Sequence, residues 1–309
     1  MSKTIKIGTR GSKLALWQAE FIKNKLLAHQ ISCEIVVIET KGDKILDQPF
    51  AEIGTKGIFT EEIESKLLSN EIHLAVHSAK DMQSTLPQGL EILAFTEREK
   101  PNDVVVSLNK NFKLDDSSMR NKVGTSSARR KALLNYFYPH ITTTDARGNL
   151  QTRVKKLEDQ QFDAMILAYA GIVRMDYDHL IVDVLPIDTF VPAVGQGSIA
   201  VEISSNMETT TRLQLRRILN DDITEACLKA ERSFLATVEG GCSIPVFGNA
   251  VAIGNFLTLT AGIVSPDGKK LIKEGATDSL ESSVKLGQAI GQKILNSGGR
   301  EILKAIDKY

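Results

Sequence analysis

The sequence predicts an α/β fold in two blocks, followed by a separate small α+β domain. The length of 309 residues points to two or three domains, because a single hydrophobic core stops growing near this size. Through most of the chain, short apolar strands alternate with helices, a pattern typical of parallel βαβ units. After Cys242 three strands follow one another, which indicates an antiparallel sheet.

The first block contains predicted strands and helices in alternation. Ser12 is the predicted N-cap of the first helix, and the second helix begins with acidic residues, which suit a helix N-terminus. The strands are expected at residues 4–8, 33–40, 72–78 and 90–95, and the helices at 12–30 and 59–70.

The second block repeats this order. "KIGTRGSKLAL" (6–16) and "KVGTSSARRKALL" (122–134) both place Gly-Thr, a serine-containing turn and a basic helix start after a strand. Either a distant duplication or similar turn chemistry would explain this similarity. Strands are expected at 122–126, 141–145 and 163–168, and helices at 127–138 and 149–160.

The rest of the chain begins with a strand, 198–204, that stands apart from its βα neighbours. A helix follows, for which Gly240 is the predicted C-terminal stop. The helix is expected at 221–241, the three antiparallel strands at 246–253, 256–264 and 270–277, and a last helix at 280–296.

The composition excludes several classes of protein. Lys+Arg and Asp+Glu are both 38, so no overall basic charge favours nucleic acid or a membrane surface. No apolar run approaches about 18 residues, and the first residues hold no hydrophobic signal core, so we expect a cytoplasmic protein without a membrane span. Three cysteines without a CxxC pattern predict neither a disulfide framework nor a zinc site, and the histidines add no metal-ligand motif.

Arginines and hydroxyl residues collect in or near the predicted βα turns. Free N–H groups at helix N-termini and guanidinium groups both bind anions. Ligands of open α/β sheets bind at the carboxyl ends of the strands, so these arginines should crowd one crevice. Because unpaired guanidinium groups repel one another, we expect a ligand with several negative charges. Helix capping and solvated surface charge are the alternatives. The residues are Arg10, Ser12, Thr125, Ser127, Arg129, Arg130, Arg147, Arg153 and Arg174.

Two other stretches offer chemistry. In "AVHSAKDM" (75–82), Lys80 can hold a carboxylate and Asp81 can act as an acid or base or stabilise a cation, although an ordinary turn residue is the alternative. Cys242 follows two glycines, where a thiol is either a nucleophile or a small turn residue. Cys33 and Cys227 fall in a strand and on an apolar helix face, so we expect them in the core.

Long motifs along the whole chain resemble the porphobilinogen deaminase (hydroxymethylbilane synthase) family. The resemblance implies a transferase of tetrapyrrole biosynthesis that joins four porphobilinogen molecules and releases ammonia and hydroxymethylbilane. The motifs are "IGTRGSKLALWQA", "KGDKILD", "KGIFTEEIE", "AVHSAKDM", "VGTSSARRKALL", "ARGNLQTRVKKL", "VPAVGQG" and "EGGCSIPVFG".

The resemblance also implies a domain organisation. It predicts two doubly wound, periplasmic-binding-protein-like domains and a small α+β domain with a three-stranded antiparallel sheet, which carries the cysteine loop. The predicted boundaries are 1–98 with 197–218 for domain 1, 99–196 for domain 2, and 219–309 for domain 3.

The family's site residues transfer by motif. The resemblance implies that Asp81 is catalytic and that a dipyrromethane cofactor is bonded through a thioether to Cys242. The implied cofactor-binding residues besides Cys242 are Lys80, Thr125, Ser127, Arg129, Arg130 and Arg147, and the implied substrate-binding residues are Arg10, Ser12, Arg147, Arg153 and Arg174. No metal is implied.

The resemblance implies a cytoplasmic monomer whose partner is the small molecule porphobilinogen, not nucleic acid or membrane. Residues 41–58 are long, glycine-containing and predicted to form a mobile lid. Two other readings stay open from the residues alone: a periplasmic-type anion-binding module, which the missing signal core disfavours, and an unrelated transferase with a cysteine nucleophile.

Overall fold

The computed structural model of the protein describes residues 4–40, 60–118, 120–240 and 244–306. The chain divides into two compact units. The first comprises Met1–Glu99 and Gly197–Glu225, and the second comprises Lys100–Gln196 and Ala226–Tyr309. The predicted lid, residues 41–58, lies outside the described residues.

Strands and helices alternate as the sequence predicts. The described strands are β1 (Ile5–Thr9), β2 (Cys33–Val37), β3 (Leu74–Ser78), β4 (Leu90–Phe95), β5 (Asp103–Val106), β6 (Lys122–Gly124), β7 (Thr142–Thr144), β8 (Ala164–Ala168), β9 (Ile181–Val184), β10 (Ile199–Ser204), β11 (Val246–Ile253), β12 (Phe256–Val264) and β13 (Leu271–Ser279). The described α-helices are α1 (Lys13–Leu27), α2 (Glu61–Leu68), α3 (Ala128–Phe137), α4 (Leu150–Glu158), α5 (Tyr169–Val173), α6 (Thr209–Leu219), α7 (Asp222–Thr237), α8 (Ser283–Ile294) and α9 (Arg300–Ile306).

The two five-stranded sheets share one arrangement. Their strand orders are β2-β1-β3-β10-β4 in the first unit and β7-β6-β8-β5-β9 in the second. In both, the first three strands in the order run parallel and the fourth runs antiparallel to its neighbours. The predicted fold class, with strand 198–204 set apart from its sequence neighbours, is confirmed.

The similar stretches 6–16 and 122–134 form equivalent elements of the two five-stranded sheets. β1 with α1 and β6 with α3 are each the second strand of a five-stranded sheet followed by its helix. Ser12 caps α1, and Ser127 caps α3 through a hydroxyl that accepts the N–H of Arg130 at 3.4 Å. The predicted cap at Ser12 is confirmed.

Five elements were not predicted: β5, β9, α5, α6 and α9. β5 and β9 have only four residues each, too few for a hydrophobic period to be recognised. α6 starts with three β-branched threonines, which lower helix propensity. Its first turn forms because the carboxylate of Glu208 accepts the N–H groups of Thr210 and Thr211 at 2.8 and 2.7 Å.

The third sheet is antiparallel, with order β11-β12-β13, as predicted. Its buried face packs with α7 and α8 into one core, in which Cys227, Phe234, Leu259 and Ile290 are buried. This sheet belongs to the same compact unit as the second five-stranded sheet. The division into three domains with the boundaries given above stays a prediction.

The C-terminus of α7 differs from the prediction. The left-handed residue is Glu239, with φ of 51°, and not Gly240. The N–H of Glu239 donates to Ala236 O at 3.1 Å and that of Gly240 donates to Leu235 O at 2.9 Å. These two hydrogen bonds form a Schellman motif that lies one residue earlier than predicted, because its left-handed position is Glu239 and Gly240 is the residue after it.

Candidate active site

The first unit holds a pocket at the carboxyl ends of β1 and β3. These strands are parallel neighbours, so the segments that follow them meet at one edge of the sheet. Arg10 and Ser12 follow β1, and Asp81 ends a short 3₁₀ turn after β3. The lining residues are Arg10, Ser12, Leu14, Ala15, Gln18, Thr60, Val76, His77, Ser78 and Asp81.

Asp81 is the exposed carboxylate of this pocket. Its turn, Ala79–Asp81, is anchored by the Ala79 N–H, which donates to Ser198 O at 3.0 Å. Lys80 is half-buried on the same turn. Ser12 accepts the Ala15 N–H at 3.3 Å, and this cap leaves its hydroxyl hydrogen available to a ligand.

Sequence reasoning missed Gln18. It is buried in α1 among apolar residues, and its Nε2 donates to the hydroxyl of Ser78 at 2.9 Å. The signal was an amide on the apolar face of an otherwise amphipathic helix, where a buried polar group needs a partner.

The second unit holds the guanidinium groups of Arg129 and Arg130 at the N-terminus of α3. Both side chains are buried, with 4% and 6% of their surface exposed. They share one carboxylate that sequence reasoning missed, Asp103, whose oxygens lie 2.7 Å from Nη1 of Arg129 and 2.7 Å from Nη2 of Arg130. Burial alone would raise the pKa of Asp103, but the two guanidinium groups outweigh it and hold that pKa well below its ordinary value.

Thr125 and Ser127 occupy the turn before α3. The hydroxyl of Thr125 accepts the Ser127 N–H at 3.3 Å, and that of Ser127 caps the helix. The capping role is therefore real for Ser12 and Ser127. It does not exclude ligand binding, because each hydroxyl keeps a hydrogen to donate.

Arg147, Arg153 and Arg174 are half-buried in the second unit. Arg147 Nη2 lies 3.4 Å from Oδ2 of Asp145, and Arg153 Nε donates to Gly148 O at 2.8 Å. Arg174 follows α5 as its C-cap. The structure thus groups Arg10, Ser12 and Asp81 in the first unit and Arg129 with Arg130 in the second, while Cys242 lies outside the described residues.

Family models cover most of the chain. The model described as "Porphobilinogen deaminase, dipyromethane cofactor binding domain" matches residues 5–212, and "Porphobilinogen deaminase, C-terminal domain" matches residues 225–296. The chain belongs to the porphobilinogen deaminase family. It is therefore a transferase of tetrapyrrole biosynthesis, with porphobilinogen as substrate and a dipyrromethane as cofactor, and the resemblance found in the sequence is confirmed.

Relatives named porphobilinogen deaminase match the chain from end to end. Those from Desulfosudis oleivorans and Cytophaga hutchinsonii are 48% and 49% identical, over 98% and 100% of this chain and 98% of each relative. The one from Chlorobium chlorochromatii is 43% identical over 100% of this chain and 99% of the relative. Family membership removes the two other readings, a periplasmic-type anion-binding module and an unrelated cysteine transferase.

Solved structures with a similar chain path include periplasmic binding domains. The Bordetella pertussis BvgS periplasmic VFT2 domain matches with a TM-score of 0.42 and 16% identity, over 70% of this chain and 85% of that one. The fold class itself rests on the strand order of this chain. Within the described ranges, every helix is too short or too polar to cross a bilayer.

Proposed function

We propose that Asp81 is the catalytic carboxylate of this deaminase. The observation that supports it is the shared pocket of Asp81, Arg10 and Ser12 at one sheet edge. An exposed carboxylate beside a guanidinium and a hydroxyl can hold an anionic substrate and still face a developing positive charge. Arg10 and Ser12 are accordingly proposed to bind the carboxylates of porphobilinogen.

The chemistry suits a single carboxylate. When porphobilinogen loses ammonia, the remaining positive charge is shared with the pyrrole N–H. Asp81 can accept that N–H and stabilise the cation electrostatically. After the new carbon–carbon bond forms, the pyrrole ring whose α-carbon made the attack must lose the proton on that carbon, which the same carboxylate can take. Nothing in these steps requires a metal ligand, and no group of side chains in the described ranges forms a metal site.

We infer that the second unit holds the anionic groups of the cofactor and of the growing chain. Two buried guanidinium groups face one carboxylate there, and Arg129 Nε is buried without a hydrogen-bond partner among the described residues. These donors fit the carboxylates of a dipyrromethane. The proposed cofactor-binding residues of this unit are Thr125, Ser127, Arg129, Arg130 and Arg147, and its proposed substrate-binding residues are Arg147, Arg153 and Arg174. Lys80, in the first unit, is proposed as a further cofactor-binding residue.

Cys242 is the proposed attachment point of the cofactor. When bound, the dipyrromethane supplies the nucleophilic pyrrole carbon to which the next ring is added. The two glycines before Cys242 suit a loop that reaches a ligand. Cys227 is buried in the core and Cys33 is half-buried in β2, where burial raises the pKa of its thiol, so neither suits a reactive thiolate.

The experiment replaces each cysteine with serine and maps the adduct by peptide mass spectrometry. We expect the unmutated, Cys33→Ser and Cys227→Ser proteins to carry a dipyrromethane on the peptide that contains Cys242, and Cys242→Ser to carry none. An adduct on Cys242→Ser would refute this assignment. The family resemblance also supports a cytoplasmic monomer, which light scattering on the purified protein and fractionation of cells would check.

A further inference from the structure

Asp103 occupies the ligand edge of the second sheet because β5 runs antiparallel. The first residue of β5 pairs with Ala168, the last residue of the neighbouring parallel strand β8. The carboxyl ends of β6 and β8 therefore meet the amino end of β5. Asp103, with no exposed surface, lies where α3 begins with its two arginines.

Arg130 is held almost entirely by protein acceptors. Oδ1 of Asp103 accepts its Nε at 3.0 Å and its Nη2 at 2.7 Å, and Ile166 O accepts Nη1 at 3.0 Å. Gln196 completes the arrangement. Its Nε2 donates to the same Oδ1 at 3.0 Å, while its Oε1 accepts Arg130 Nη2 at 3.4 Å. Oδ1 thus receives three N–H donors.

Gln196 reaches this position through an unusual backbone. The glycines on either side of it have φ of 76° and 99°. A Cβ on Gly197 would lie 2.3 Å from Glu99 O. The turn therefore requires glycine, and "VGQG" is the motif that places a buried amide against Asp103.

Arg129 is less fully engaged. Its Nη1 lies 2.7 Å from Oδ2 of Asp103 and donates to Val191 O at 3.0 Å. Its Nε is buried without a hydrogen-bond partner in the part of the chain that the structure describes. Burial lowers the pKa of Arg129 and the neighbouring Arg130 adds to this, while Asp103 opposes it. One carboxylate thus faces two buried cations, which leaves an uncompensated positive charge.

We propose that Asp103 is a positioning residue for cofactor loading: it holds Arg129 and Arg130 at the sheet edge before the anion arrives and leaves Arg129 Nε for a cofactor carboxylate. This inference rests on the proposed role of both arginines in binding the cofactor. A purely structural ion pair would balance one cation with one carboxylate. Here the excess charge and the unpartnered N–H both point to an anionic ligand that completes the cluster.

The test is the loading of the full-length protein with its cofactor. Protein made in a host without porphobilinogen is given that substrate, and intact mass follows formation of the covalent adduct. Asp103→Asn keeps the shape of the side chain, removes its charge and turns an N–H donor toward the guanidinium groups. Since hydrogen bonds to charged groups are strong, we expect loading at least about tenfold slower.

Val105→Ala is the matched control. Val105 is buried two residues further along β5 and touches the core, so the variant loses stability through a cavity without changing the guanidinium contacts. We expect it to load within about twofold of the unmutated protein. Loading of Asp103→Asn at the unmutated rate, or equally slow loading of Val105→Ala, would overturn the proposal.

Asp103→Glu decides the case if Asp103→Asn does not fold. It keeps the charge but displaces it by one methylene, so the positioning role predicts slow loading in a folded protein, and normal loading would contradict it. Cofactor loading of the unmutated protein distinguishes failure of the proposed function from failure of the inference about Asp103. An unmutated chain that acquires no adduct on Cys242 refutes the proposed function, whereas a normal adduct in both Asp103 variants refutes only this inference.

Discussion

Nε2 of His77 lies 3.2 Å from Oε2 of Glu202, and both side chains are buried within the first sheet. His77 is on β3, four residues before Asp81, and Glu202 is on the antiparallel strand β10. A second buried carboxylate, Glu64 on α2, accepts Gln83 Nε2 at 3.4 Å. Two carboxylates and one imidazole therefore share the interior beside the pocket that His77 and Asp81 line.

Removing the buried charge of Glu64 should stabilise the protein at neutral pH but not at low pH. Burial, aided by the nearby charge of Glu202, raises the pKa of Glu64, while hydrogen bonds and His77 oppose the shift. A raised pKa in the folded state means that stability present below pH about 4.5 is lost as pH rises through the folded pKa. Glu64→Gln keeps the acceptor oxygen and removes the charge. We expect its melting temperature to exceed that of the unmutated protein at pH 7 and to converge with it at pH 4; a lower value at pH 7 would contradict the account.

Removing the charge of Glu208 should have the opposite effect and lower the stability of the protein at neutral pH. Hydrogen bonds from the backbone of Thr211 and Thr210 lower the pKa of Glu208 to about 2. Its contribution to stability is therefore present above its ordinary pKa and is lost as pH falls toward 2. We expect Glu208→Gln to melt lower than the unmutated protein at pH 7 and equally near pH 2. A difference that stays constant between these pH values would show that the charge of the cap is unimportant.

Because Glu239 has a left-handed backbone conformation, its replacement by glycine should stabilise the protein. Glycine adopts a positive φ without the Cβ penalty, so Glu239→Gly should gain about 0.5–1 kcal/mol in the free energy of unfolding. Asn70 is the matched control, because it holds the same position after α2 with φ of 59° and asparagine tolerates that region better. Denaturant unfolding of both glycine variants should show the smaller gain at Asn70. Equal gains would remove the argument from strain.

Sequence reasoning recovered the elements whose pattern is local. The βα alternation, the cap at Ser12 and the three antiparallel strands all follow from residues near one another in the chain. The family motifs then pointed to Asp81 and the arginines. The cap at Glu239 was misplaced because a left-handed glutamate is uncommon and a glycine followed it.

The missed residues all have partners far away in the sequence. Asp103 contacts Arg129 and Arg130, which lie 26 and 27 positions later in the chain. The contact forms because Asp103 begins a four-residue strand that runs antiparallel to its neighbour β8. Glu202 meets His77 across 125 positions for the same reason. Such pairings depend on which strands become neighbours, and a single sequence does not encode that in any local pattern.

The excess charge beside Asp103 predicts that the cofactor stabilises the protein. Cys242→Ala, which lacks the proposed anchor, should melt lower than the holoenzyme, because the carboxylates of the cofactor offset the charge of Arg129 and Arg130 and the ligand is tied to the native state. Sodium chloride screens the repulsion, so the gap should narrow at moderate salt. Melting curves of both proteins at low and moderate salt check this. Equal midpoints at low salt would rule out stabilisation, and a gap that ignores salt would remove its electrostatic cause.

Asp81→Asn tests the proposed catalytic carboxylate. It keeps the shape of an exposed side chain, so the fold and melting temperature should be unchanged. Because the amide cannot stabilise the cation or take a proton, we expect kcat to fall by at least ~10²-fold. The control is Asp163→Asn, because Asp163 is an exposed aspartate of the second unit whose Oδ2 accepts the N–H of Lys122 at 2.7 Å. Turnover of Asp81→Asn near that of Asp163→Asn would refute the role.

The most direct measurement is the intact mass of the holoenzyme after mixing with limiting porphobilinogen. The account predicts a resting protein heavier than its sequence by one dipyrromethane, and then a ladder of species that each gain one porphobilinogen less ammonia. Asp81→Asn that carries the cofactor should remain at the resting mass over the same time. Hydroxymethylbilane formed by the unmutated enzyme without any such ladder, or by a chain with no covalent adduct, would contradict the account.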